Sequence, residues 1–309
     1  MSRNVIEPGR HVRVDVPASS ANLGPGFDSL GLGIEIRDVV EASVEGDRLI
    51  IEVEGAGAGE VPLDDRHLVH RSMLALWERL EVEPPAGLKL LCRNEIPHSR
   101  GLGSSASAIV AGVAAACALV RGELDDDSIT LVNDVASALE GHPDNASASV
   151  YGGFTSSWFD EQDQAWRTAR PGLHPDVDVA VFVPGFTLST DKARAALPAQ
   201  VTLADAAWNA GRAALLVHAL TTDPGRLLPA TADWLHQENR RPAYPASMAL
   251  VDSLRGHGHA AFISGAGPTV LVLGVGESLR GLSAPNDDWI LLRPGIATHG
   301  VRVVSHNSR

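Results

Sequence analysis

The chain has 309 residues, a length that suggests about two domains, and its 44% hydrophobic and 20% charged residues are typical of globular proteins. Its 25 Lys and Arg residues against 38 Asp and Glu residues give a net charge of −13. That balance argues against nucleic acid or an anionic membrane as a partner, because both need a basic surface. The two lysines, Lys89 and Lys192, follow no G-x-x-x-x-G run, which excludes a Walker A loop, and the G-x-S-x-G and H-E-x-x-H motifs of two hydrolase classes are missing.

The two cysteines, Cys92 and Cys117, are too few for a disulfide framework or a cysteine zinc site, so we expect both to be small buried residues. The first residues contain no apolar signal core. The most apolar run, residues 106–120, is interrupted by Ser107 and Gly112 and is shorter than the roughly 20 residues that span a bilayer. We therefore expect a cytoplasmic protein with no membrane partner.

The pattern of the first half predicts strands, two glycine-rich loops and helices. The predicted strands cover residues 12–16, 35–44, 48–54 and 88–93, with new sheet structure from residue 152. The predicted helices cover residues 66–80, 105–119 and 129–140, and the last of these is ended by Gly141 and Pro143. Residues 17–33 are predicted to be a loop because Gly, Ser, Asn and Pro are dense there.

A change of composition within residues 158–175 predicts a domain boundary, which we place between domains 1–165 and 166–309. The second half is predicted to contain strands and helices without a regular β-α-β alternation. The strands cover residues 177–183, 260–264, 269–273, 289–293 and 301–304, and the helices cover 203–220 and parts of 225–255. This mixture favours an α+β fold over a doubly wound sheet.

The most informative segment is the run P-x-x-x-G-L-G-S-S-A at residues 97–106, which leads into a predicted helix. Gly101 and Gly103 let the backbone approach a ligand closely, and the helix start offers free N–H groups and the positive end of its dipole to an anion. Ser104 and Ser105 add hydroxyl groups that suit phosphate or Mg²⁺. A capped Ala-rich helix after a flexible turn is the alternative, but the complete run favours a phosphate site.

This run resembles the phosphate loop of the GHMP kinases, the superfamily of galactokinase, homoserine kinase, mevalonate kinase and phosphomevalonate kinase. Residues 17–31, P-A-S-S-A-N-L-G-P-G-F-D-S-L-G, resemble the first motif in its homoserine kinase form, and residues 263–269, I-S-G-A-G-P-T, resemble the third motif. The resemblance runs in order from residue 12 to residue 273. It implies an N-terminal domain like ribosomal S5 domain 2, which carries the phosphate loop, a ferredoxin-like C-terminal domain, an active site in the cleft between them, and a homodimer.

The resemblance implies transfer of the ATP γ-phosphate to the side-chain hydroxyl of L-homoserine, with Mg²⁺ as cofactor. Ser105, or Ser104, and Glu140 are expected to hold the Mg²⁺. Glu140 lies at the C-terminal end of its predicted helix, where the dipole disfavours an anion and a nearby cation would offset that cost; a solvated surface carboxylate is the alternative. The expected nucleotide contacts are Pro97, Arg100, Gly101, Leu102, Gly103, Ser104, Ser105, Ala106 and His67.

Homoserine is a zwitterion, so its site needs an anion for the ammonium group and cations for the carboxylate. The resemblance assigns the ammonium group to Asp28 and the carboxylate to Arg194, from the S-T-x-x-A-R segment, and to Arg240, from the H-Q-x-x-R segment. Each arginine alone would be interpreted as a surface residue, and only together with Asp28 do they fit an amino-acid site. The further expected substrate contacts are Asn22, Thr190, His142, Asn145 and Gly265, the last in a tight loop that could also be a plain hairpin turn.

Residues 141–145, G-H-P-D-N, also resemble the homoserine kinase form. Related sugar and mevalonate kinases have an aspartate base where Asn145 stands, and Asn145 accepts no proton at neutral pH. The expected mechanism therefore has no side-chain base: Asn145 positions the hydroxyl, and the proton passes to the phosphate. Asp144 is the rival base, or a residue that caps the turn, and His142 either contacts the substrate or is structural.

Two residues depart from the family pattern. His67 stands where asparagine is usual near the adenine, which leaves purine selectivity open, and Arg100 either supplies positive charge or points into solvent. Two other functions remain as alternatives. One is another GHMP small-molecule kinase, although mevalonate has no ammonium group for Asp28 to bind. The other is a non-catalytic ligand sensor on the same fold, which detectable ATP turnover would exclude.

Overall fold

The computed structural model describes residues 4–188 and 190–304, and for Asn4, Thr190 and Asp191 the backbone alone. Within that part of the chain the strands are β1 (Asn4–Val5), β2 (His11–Ala21), β3 (Leu30–Ser43), β4 (Leu49–Gly55), β5 (Val82–Glu83), β6 (Leu88–Asn94), β7 (Phe154–Asp160), β8 (Ala165–Ala169), β9 (Val177–Pro184), β10 (Ala260–Ile263), β11 (Val270–Val275), β12 (Trp289–Leu292) and β13 (Arg302–Val303).

Most α-helices of the described residues come in two runs, one between β6 and β7 and the other between β9 and β10. The α-helices are α1 (Leu68–Arg79), α2 (Ser104–Arg121), α3 (Asp126–Glu140), α4 (Pro143–Tyr151), α5 (Thr190–Ala195), α6 (Leu203–Thr221), α7 (Leu227–Ala230), α8 (Gln237–Arg240) and α9 (Pro245–Gly256), with short 3-10 helices at Pro224–Arg226, Arg241–Ala243 and Gly276–Leu279. The mixture confirms the predicted α+β class.

The first sheet has the order β13-β2-β3-β6-β4, and β7 and β8 extend it from the edge of β3. The predicted loop over residues 17–33 is wrong at both ends, because β2 continues through residue 21 and β3 begins at residue 30; residues 22–29 are a loop as predicted. Small residues serve a packing purpose here: an added Cβ on Gly31 would overlap the carbonyl oxygen of Asp144, and one on Gly33 would press on Gly152. Glycine at these positions lets the neighbouring backbone approach β3 closely, whereas a glycine-rich sequence is usually interpreted as a loop.

Helix α2 lies at the centre of this domain and packs against β2, α1, α3 and α4. Its Ala-rich sequence suits this position because small side chains allow close approach on several sides at once. Of the described helices it alone is long and apolar enough to cross a membrane, and 72% of it is buried inside the protein. That burial identifies it as a core helix. Cys92 and Cys117 are both buried and unpaired, as predicted.

Helix α4 is an element that the sequence analysis missed. Pro143 was expected to end a helix, and it instead occupies the first turn of α4 directly after Gly141 has ended α3. Proline fits this position because the first helical N–H has no intrahelical partner and the ring already fixes a helical φ. The result is a second helix start beside the first glycine-rich segment.

The second sheet is antiparallel, with the order β10-β11-β9-β12. Strand β9 is apolar on both faces because each face is covered. Val179 and Val181 pack in one hydrophobic cluster with Leu216 of α6 and with residues of β2 and β3, and Phe182 packs in another with Met248 of α9. A single core therefore joins the two sheets and fixes their relative position.

The connection between the sheets is not a simple division of the chain. Strand β8 pairs with β7 in the first sheet, and the position between residues 165 and 166 lies within β8. The end of the described chain also returns to the first sheet, where Arg302 pairs with Asp15. Residues from both ends of the chain thus build the first sheet.

Candidate active site

The three glycine-rich segments of the sequence meet at one place. The backbone N–H of Ser19 donates to the carbonyl of Leu102 at 3.1 Å, and the N–H of Thr269 donates to the carbonyl of Arg100 at 3.2 Å. The loop of residues 97–106 is therefore held between the first and the third segment. Backbone hydrogen bonds therefore fix the position of the loop between its two neighbours.

Gly101 and Gly103 are required by this packing. Both have a positive φ, +78° and +70°, which glycine adopts without strain. A Cβ on Gly101 would overlap the carbonyl oxygen of Ser264, and a Cβ on Gly103 would overlap the hydroxyl of Ser19. Neither position accepts a side chain unless the neighbouring segment moves.

The loop opens α2, whose N-cap is Gly103 and whose cap has no side-chain hydrogen bond. The first N–H groups of a helix have no intrahelical partner, and the dipole adds positive charge at the same end. Ser104 is half-buried and Ser105 is exposed in this first turn. The helix start is thus available to an anion such as phosphate.

Ser105 and Glu140 form the oxygen pair expected of a metal site. The Ser105 hydroxyl donates to Glu140 Oε2 at 3.3 Å, and Glu140 is the last residue of α3, which Gly141 ends with φ +84°. Burial raises the pKa of Glu140 above its usual range. Carboxylate and hydroxyl oxygens are ligands that Mg²⁺ accepts, and a bound cation would relieve the cost of that buried charge. The residues present therefore fit a magnesium ion.

A cavity of about 130 Å³ lies beside this helix start, and we name it the acceptor cavity. It draws residues from both halves of the chain and from all three glycine-rich segments. Its lining consists of Ala21, Asn22, Asp28, Ser99, Gly101, Gly103, Ser104, Ser105, Glu140, His142, Asp144, Asn145, Leu188, Arg194, Arg240, Gly265, Ala266 and Gly267. The structure thus brings together all the predicted substrate residues except Thr190, whose side chain lies outside the described part of the chain.

Opposite charges meet inside the acceptor cavity. Both terminal nitrogens of Arg194 donate to the Asp28 carboxylate, at 3.0 and 3.3 Å. The Arg194 side chain is 45% exposed and that of Asp28 34% exposed, so the pair remains accessible. Both guanidinium groups, of Arg194 and Arg240, lie over the ring of Phe27, at 5.9 and 5.6 Å from its centroid.

Arg240 is buried, with 3% exposure, and is held by neutral acceptors. Its Nε donates to the carbonyl of Ala193 at 2.9 Å, and its Nη1 lies 3.3 Å from His236 Nδ1. His236 Nε2 lies 2.8 Å from the carbonyl of Gly24, so the proton is on Nε2 and Nδ1 accepts from Arg240. Burial lowers the pKa of His236, which keeps the ring neutral. Among the described residues no carboxylate forms an ion pair with Arg240, and its guanidinium lines the cavity.

Asn22 connects the first segment to the third. Its Nδ2 donates to the carbonyl of Gly265 at 3.0 Å, and its Oδ1 accepts from the backbone N–H of Asp28 at 3.1 Å. Asn22 and Asp28 both have a left-handed backbone, with φ +68° and +52°. Asn22 therefore orients Asp28, and both its amide nitrogen and its amide oxygen already have partners within the protein.

The start of α4 supplies the other wall. Asp144 is 2% exposed, and its Oδ1 accepts from the backbone N–H of Asn145 at 2.8 Å and lies 2.9 Å from His142 Nδ1. Asn145 Oδ1 accepts from the Ser19 hydroxyl at 3.1 Å, which leaves its NH₂ group for the cavity. The His142 ring, Asp144 and Asp28 bring their polar atoms within 4.8 Å of one another. This arrangement can receive a cationic group.

A second cavity of about 250 Å³ adjoins the first, and we name it the base cavity. Ser99, Ser104 and Ser105 line both cavities, so the helix start lies at their junction. The complete lining is Asp38, Val40, Val61, Pro62, Arg66, His67, Leu68, Val69, Cys92, Asn94, His98, Ser99, Ser104, Ser105, Ser107, Ala108 and Ala111. His67, predicted to lie near the adenine, is among them.

Four of the predicted nucleotide residues line neither cavity: Pro97, Arg100, Leu102 and Ala106. Leu102 and Ala106 are buried behind the loop, so only their backbone is free to face a phosphate. The Arg100 guanidinium donates to the carbonyls of His98, Pro184 and Gly185, at 3.0 to 3.2 Å. Its donors are therefore used to anchor the loop to β9, which neither of the two alternatives for Arg100 anticipated.

Three residues important to the site received no role from sequence. Ser19 orients Asn145, and His236 orients Arg240; both stand within motifs that had been singled out. Asp38 is a buried carboxylate in the base cavity. Side chains two residues apart in a strand lie on the same face, so Asp38 shares its face with the apolar residues Ile36 and Val40. A charged residue among apolar ones on one strand face is the sequence feature that could have identified it.

Comparison with known proteins agrees with this geometry. Residues 67–153 match the family model described as GHMP kinases N terminal domain, and residues 215–280 match GHMP kinases C terminal. The chain is 48% identical over 295 residues to the homoserine kinase of Streptomyces coelicolor, covering 95% of this chain and 94% of that protein. It is 51% identical over 265 residues to the homoserine kinase of Streptomyces avermitilis, covering 85% of each.

The fold is also found among solved structures. The crystal structure of homoserine kinase from Cytophaga hutchinsonii superposes with a TM-score of 0.81 at 23% identity, covering 98% of this chain and all of that one. The predicted two-domain GHMP kinase fold is thereby confirmed. With two full-length relatives near 50% identity and both family domains matched in order, the chain belongs to the homoserine kinase family of the GHMP kinases.

Proposed function

We propose that the protein transfers the γ-phosphate of ATP to the side-chain hydroxyl of L-homoserine and releases O-phospho-L-homoserine and ADP, as a step of threonine biosynthesis in the cytoplasm. The observation that carries this proposal is the acceptor cavity, where Asp28, Arg194 and Arg240 lie beside the N-terminus of α2. An acceptor with both an ammonium group and a carboxylate matches that charge distribution. The family relatives support the same activity.

The ion pair between Arg194 and Asp28 suggests how the zwitterion is bound. The substrate ammonium group would take the place of Arg194 at Asp28, with the half-buried His142 and buried Asp144 nearby. The substrate carboxylate would then be shared by Arg194 and Arg240, since guanidinium groups bind carboxylates through paired hydrogen bonds. Because the zwitterion has no net charge, its binding leaves the net charge of the cavity unchanged.

The nucleotide phosphates are proposed to lie at the N-terminus of α2, between the acceptor cavity and the base cavity. Here the N–H groups of the first turn and the loop backbone replace the lysine of a Walker A loop. Ser105 and Glu140 would hold Mg²⁺, with Ser104 as the alternative hydroxyl ligand. When bound, the metal would neutralise the charge that develops on the phosphate groups during transfer.

No side-chain base is needed in this scheme. The NH₂ group of Asn145 is free to orient the acceptor hydroxyl. Oδ1 of Asp144 holds the start of α4, since it accepts from the Asn145 N–H and lies 2.9 Å from His142 Nδ1. The hydroxyl oxygen forms a bond to the γ-phosphorus, the bond to the β–γ bridging oxygen breaks, and the hydroxyl proton passes to an oxygen of the transferred phosphoryl group. A loose transition state tolerates this late proton transfer, so positioning and electrostatics carry the rate.

Three further statements are part of the proposal. We keep the division into domains 1–165 and 166–309. Strands β8 and β13 nevertheless pair within the first sheet. The protein is expected to form a homodimer, as the family resemblance implies. The alternatives remain another GHMP small-molecule kinase and a non-catalytic sensor, and one experiment separates all three functions.

That experiment measures ADP release from Mg-ATP with L-homoserine, L-serine, mevalonate, galactose or no acceptor. Arg194→Ala is expected to raise the KM for homoserine about 10- to 100-fold, because a charge-assisted contact is lost, with the KM for ATP unchanged. Arg226→Ala, which removes an exposed arginine paired with Asp223, is the matched control. Turnover with another acceptor would replace homoserine, and no turnover from folded, ATP-binding protein would favour the sensor.

A further inference from the structure

The base cavity contains a buried carboxylate that the proposed mechanism does not use. Asp38 is 4% exposed, and its Oδ1 accepts the backbone N–H groups of Glu95 and Ile96 at 2.8 and 3.0 Å. Its Oδ2 has one long contact, with the Ser107 hydroxyl at 3.5 Å. A carboxylate offers about four acceptor positions. Oδ2 therefore retains acceptor capacity in a residue that lines the cavity.

The setting makes this carboxylate costly. Desolvation raises the pKa of Asp38 to about 6, although two backbone hydrogen bonds act in the opposite direction. At pH 7.5 the group is still mostly ionised and acts as an acceptor only. Anchoring two N–H groups accounts for Oδ1, and an uncharged asparagine would do that equally well. The structural role of Asp38 therefore explains Oδ1 but not why the residue carries a second, charged oxygen.

His67, on the same cavity, supplies the complementary group. It is 6% exposed, its buried Nδ1 has no hydrogen-bond partner among the described residues, and burial with the nearby His70 lowers its pKa, so the ring is neutral. A buried N–H without an acceptor is rarer than an unfilled lone pair. The proton therefore belongs on Nε2, and the ring offers a single N–H donor.

We propose that Asp38 and His67 form an acceptor–donor pair that selects adenine as the base of the phosphate donor, with Asp38 accepting from the 6-amino group and His67 donating to N7. Adenine presents a donor at its 6-amino group beside an acceptor at N7, whereas guanine presents acceptors at both O6 and N7. A 6-oxo purine would set its carbonyl against the Asp38 carboxylate. This inference rests on the proposed function for the use of ATP, and it adds the residues that determine base selectivity.

The first test uses the wild-type protein and no variant. Homoserine-dependent kcat/KM is measured with ATP, ITP, purine riboside triphosphate and 7-deaza-ATP. Exchange of the 6-amino group for an oxo group is expected to lower kcat/KM about 100-fold, and loss of the amino group or of N7 about 10-fold each. ITP used as well as ATP would overturn the role of Asp38, and 7-deaza-ATP used as well as ATP would overturn that of His67.

The second test is Asp38→Asn. The amide can keep Oδ1 as the acceptor of both backbone N–H groups and place an NH₂ donor where Oδ2 stood. The ATP-to-ITP preference is therefore expected to fall about 100-fold or to reverse. Asp65→Asn, at an exposed position two residues before His67, removes the same charge and should leave the preference within about twofold. A folded Asp38→Asn protein with the wild-type preference would overturn the proposal.

Binding separates this inference from the proposed function. Displacement of a fluorescent ADP analogue by ADP and by IDP reports base selectivity without any acceptor or turnover. If ADP binds about 100-fold more tightly than IDP while homoserine is not phosphorylated, the selectivity pair stands and the substrate assignment fails. If homoserine is phosphorylated but ADP and IDP bind equally, the substrate assignment stands and the selectivity pair fails. Should Asp38→Asn not fold, these wild-type series decide alone.

Discussion

The acceptor cavity and the base cavity are adjacent, yet the chain builds them in different ways. The acceptor cavity gathers charged residues from helices and loops of both halves of the chain, and its Arg194–Asp28 pair joins positions 166 residues apart. The base cavity is built from the first domain alone, out of β3, β6, the segment before α1 and the first turns of α2. One cavity is expected to distinguish substrates by charge and the other by a few buried polar groups in an apolar wall. Substitutions should therefore affect the two cavities separately, except at their junction.

The largest effect is expected at that junction, where Glu140→Gln removes the charge but keeps the shape. We expect kcat to fall about 100- to 1,000-fold, because stabilisation of the developing phosphate charge is lost, with the KM for homoserine nearly unchanged. Steady-state kinetics at varied Mg²⁺ measures it. Glu123→Gln, at an exposed position in the turn before α3, serves as the control. A variant that keeps wild-type kcat would remove Glu140 from the metal site.

The next effect concerns the stability of the base cavity. Because burial raises the pKa of Asp38 to about 6, from 3.8, the folded protein holds a proton that the unfolded chain has lost between about pH 4 and pH 6. Stability attributable to this group is therefore present below pH 4 and lost as pH rises through 6, by up to about 3 kcal/mol. Asp38→Asn should lose less unfolding free energy than wild type between pH 4.5 and 7.5. Urea denaturation at both values tests this, and equal losses would contradict it.

A smaller effect shows whether the proton of the acceptor hydroxyl passes to Asp144 or to the transferred phosphoryl group. Asp144→Asn retains an oxygen to accept from the Asn145 N–H and is expected to lower kcat less than about tenfold. A general base would cost about 100- to 10,000-fold on removal. Single-turnover kinetics with saturating homoserine gives the rate of the chemical step. A loss above 100-fold in a folded variant would restore Asp144 as the base.

The smallest expected effect is an absence of reaction. Burial raises the pKa of Cys92, on the wall of the base cavity, to about 12, and burial also raises the pKa of Cys117. Thiolate is the reactive form, so a thiol reagent at pH 8 should label neither cysteine in the native protein and both in urea. Quantitative labelling with an aromatic disulfide measures this. Rapid native labelling that ATP prevents would show that the base cavity opens further than the structure indicates.

Much of the site could be predicted because its residues lie in short motifs. The loop of residues 97–106, the Glu140 helix end and the charged trio of Asp28, Arg194 and Arg240 were all identified from sequence, and the structure lines one cavity with them. The errors were local. Residues 17–21 and 30–33 belong to strands, and Pro143 opens α4, because burial against neighbouring elements decided these conformations against the turn statistics of Gly, Ser and Pro.

By itself the sequence determined the chemistry available to this protein: a helix start able to bind phosphate, oxygens suited to Mg²⁺, and charges suited to a zwitterion. Only the tertiary structure decided which of these groups share a cavity and which are already used. Arg100 proved to be an anchor, Asn22 a support for Asp28, and Asp38 a buried acceptor. The reason is physical. A side chain's free hydrogen-bonding capacity and its desolvation depend on neighbours that are distant in sequence, and only the folded chain brings them into contact.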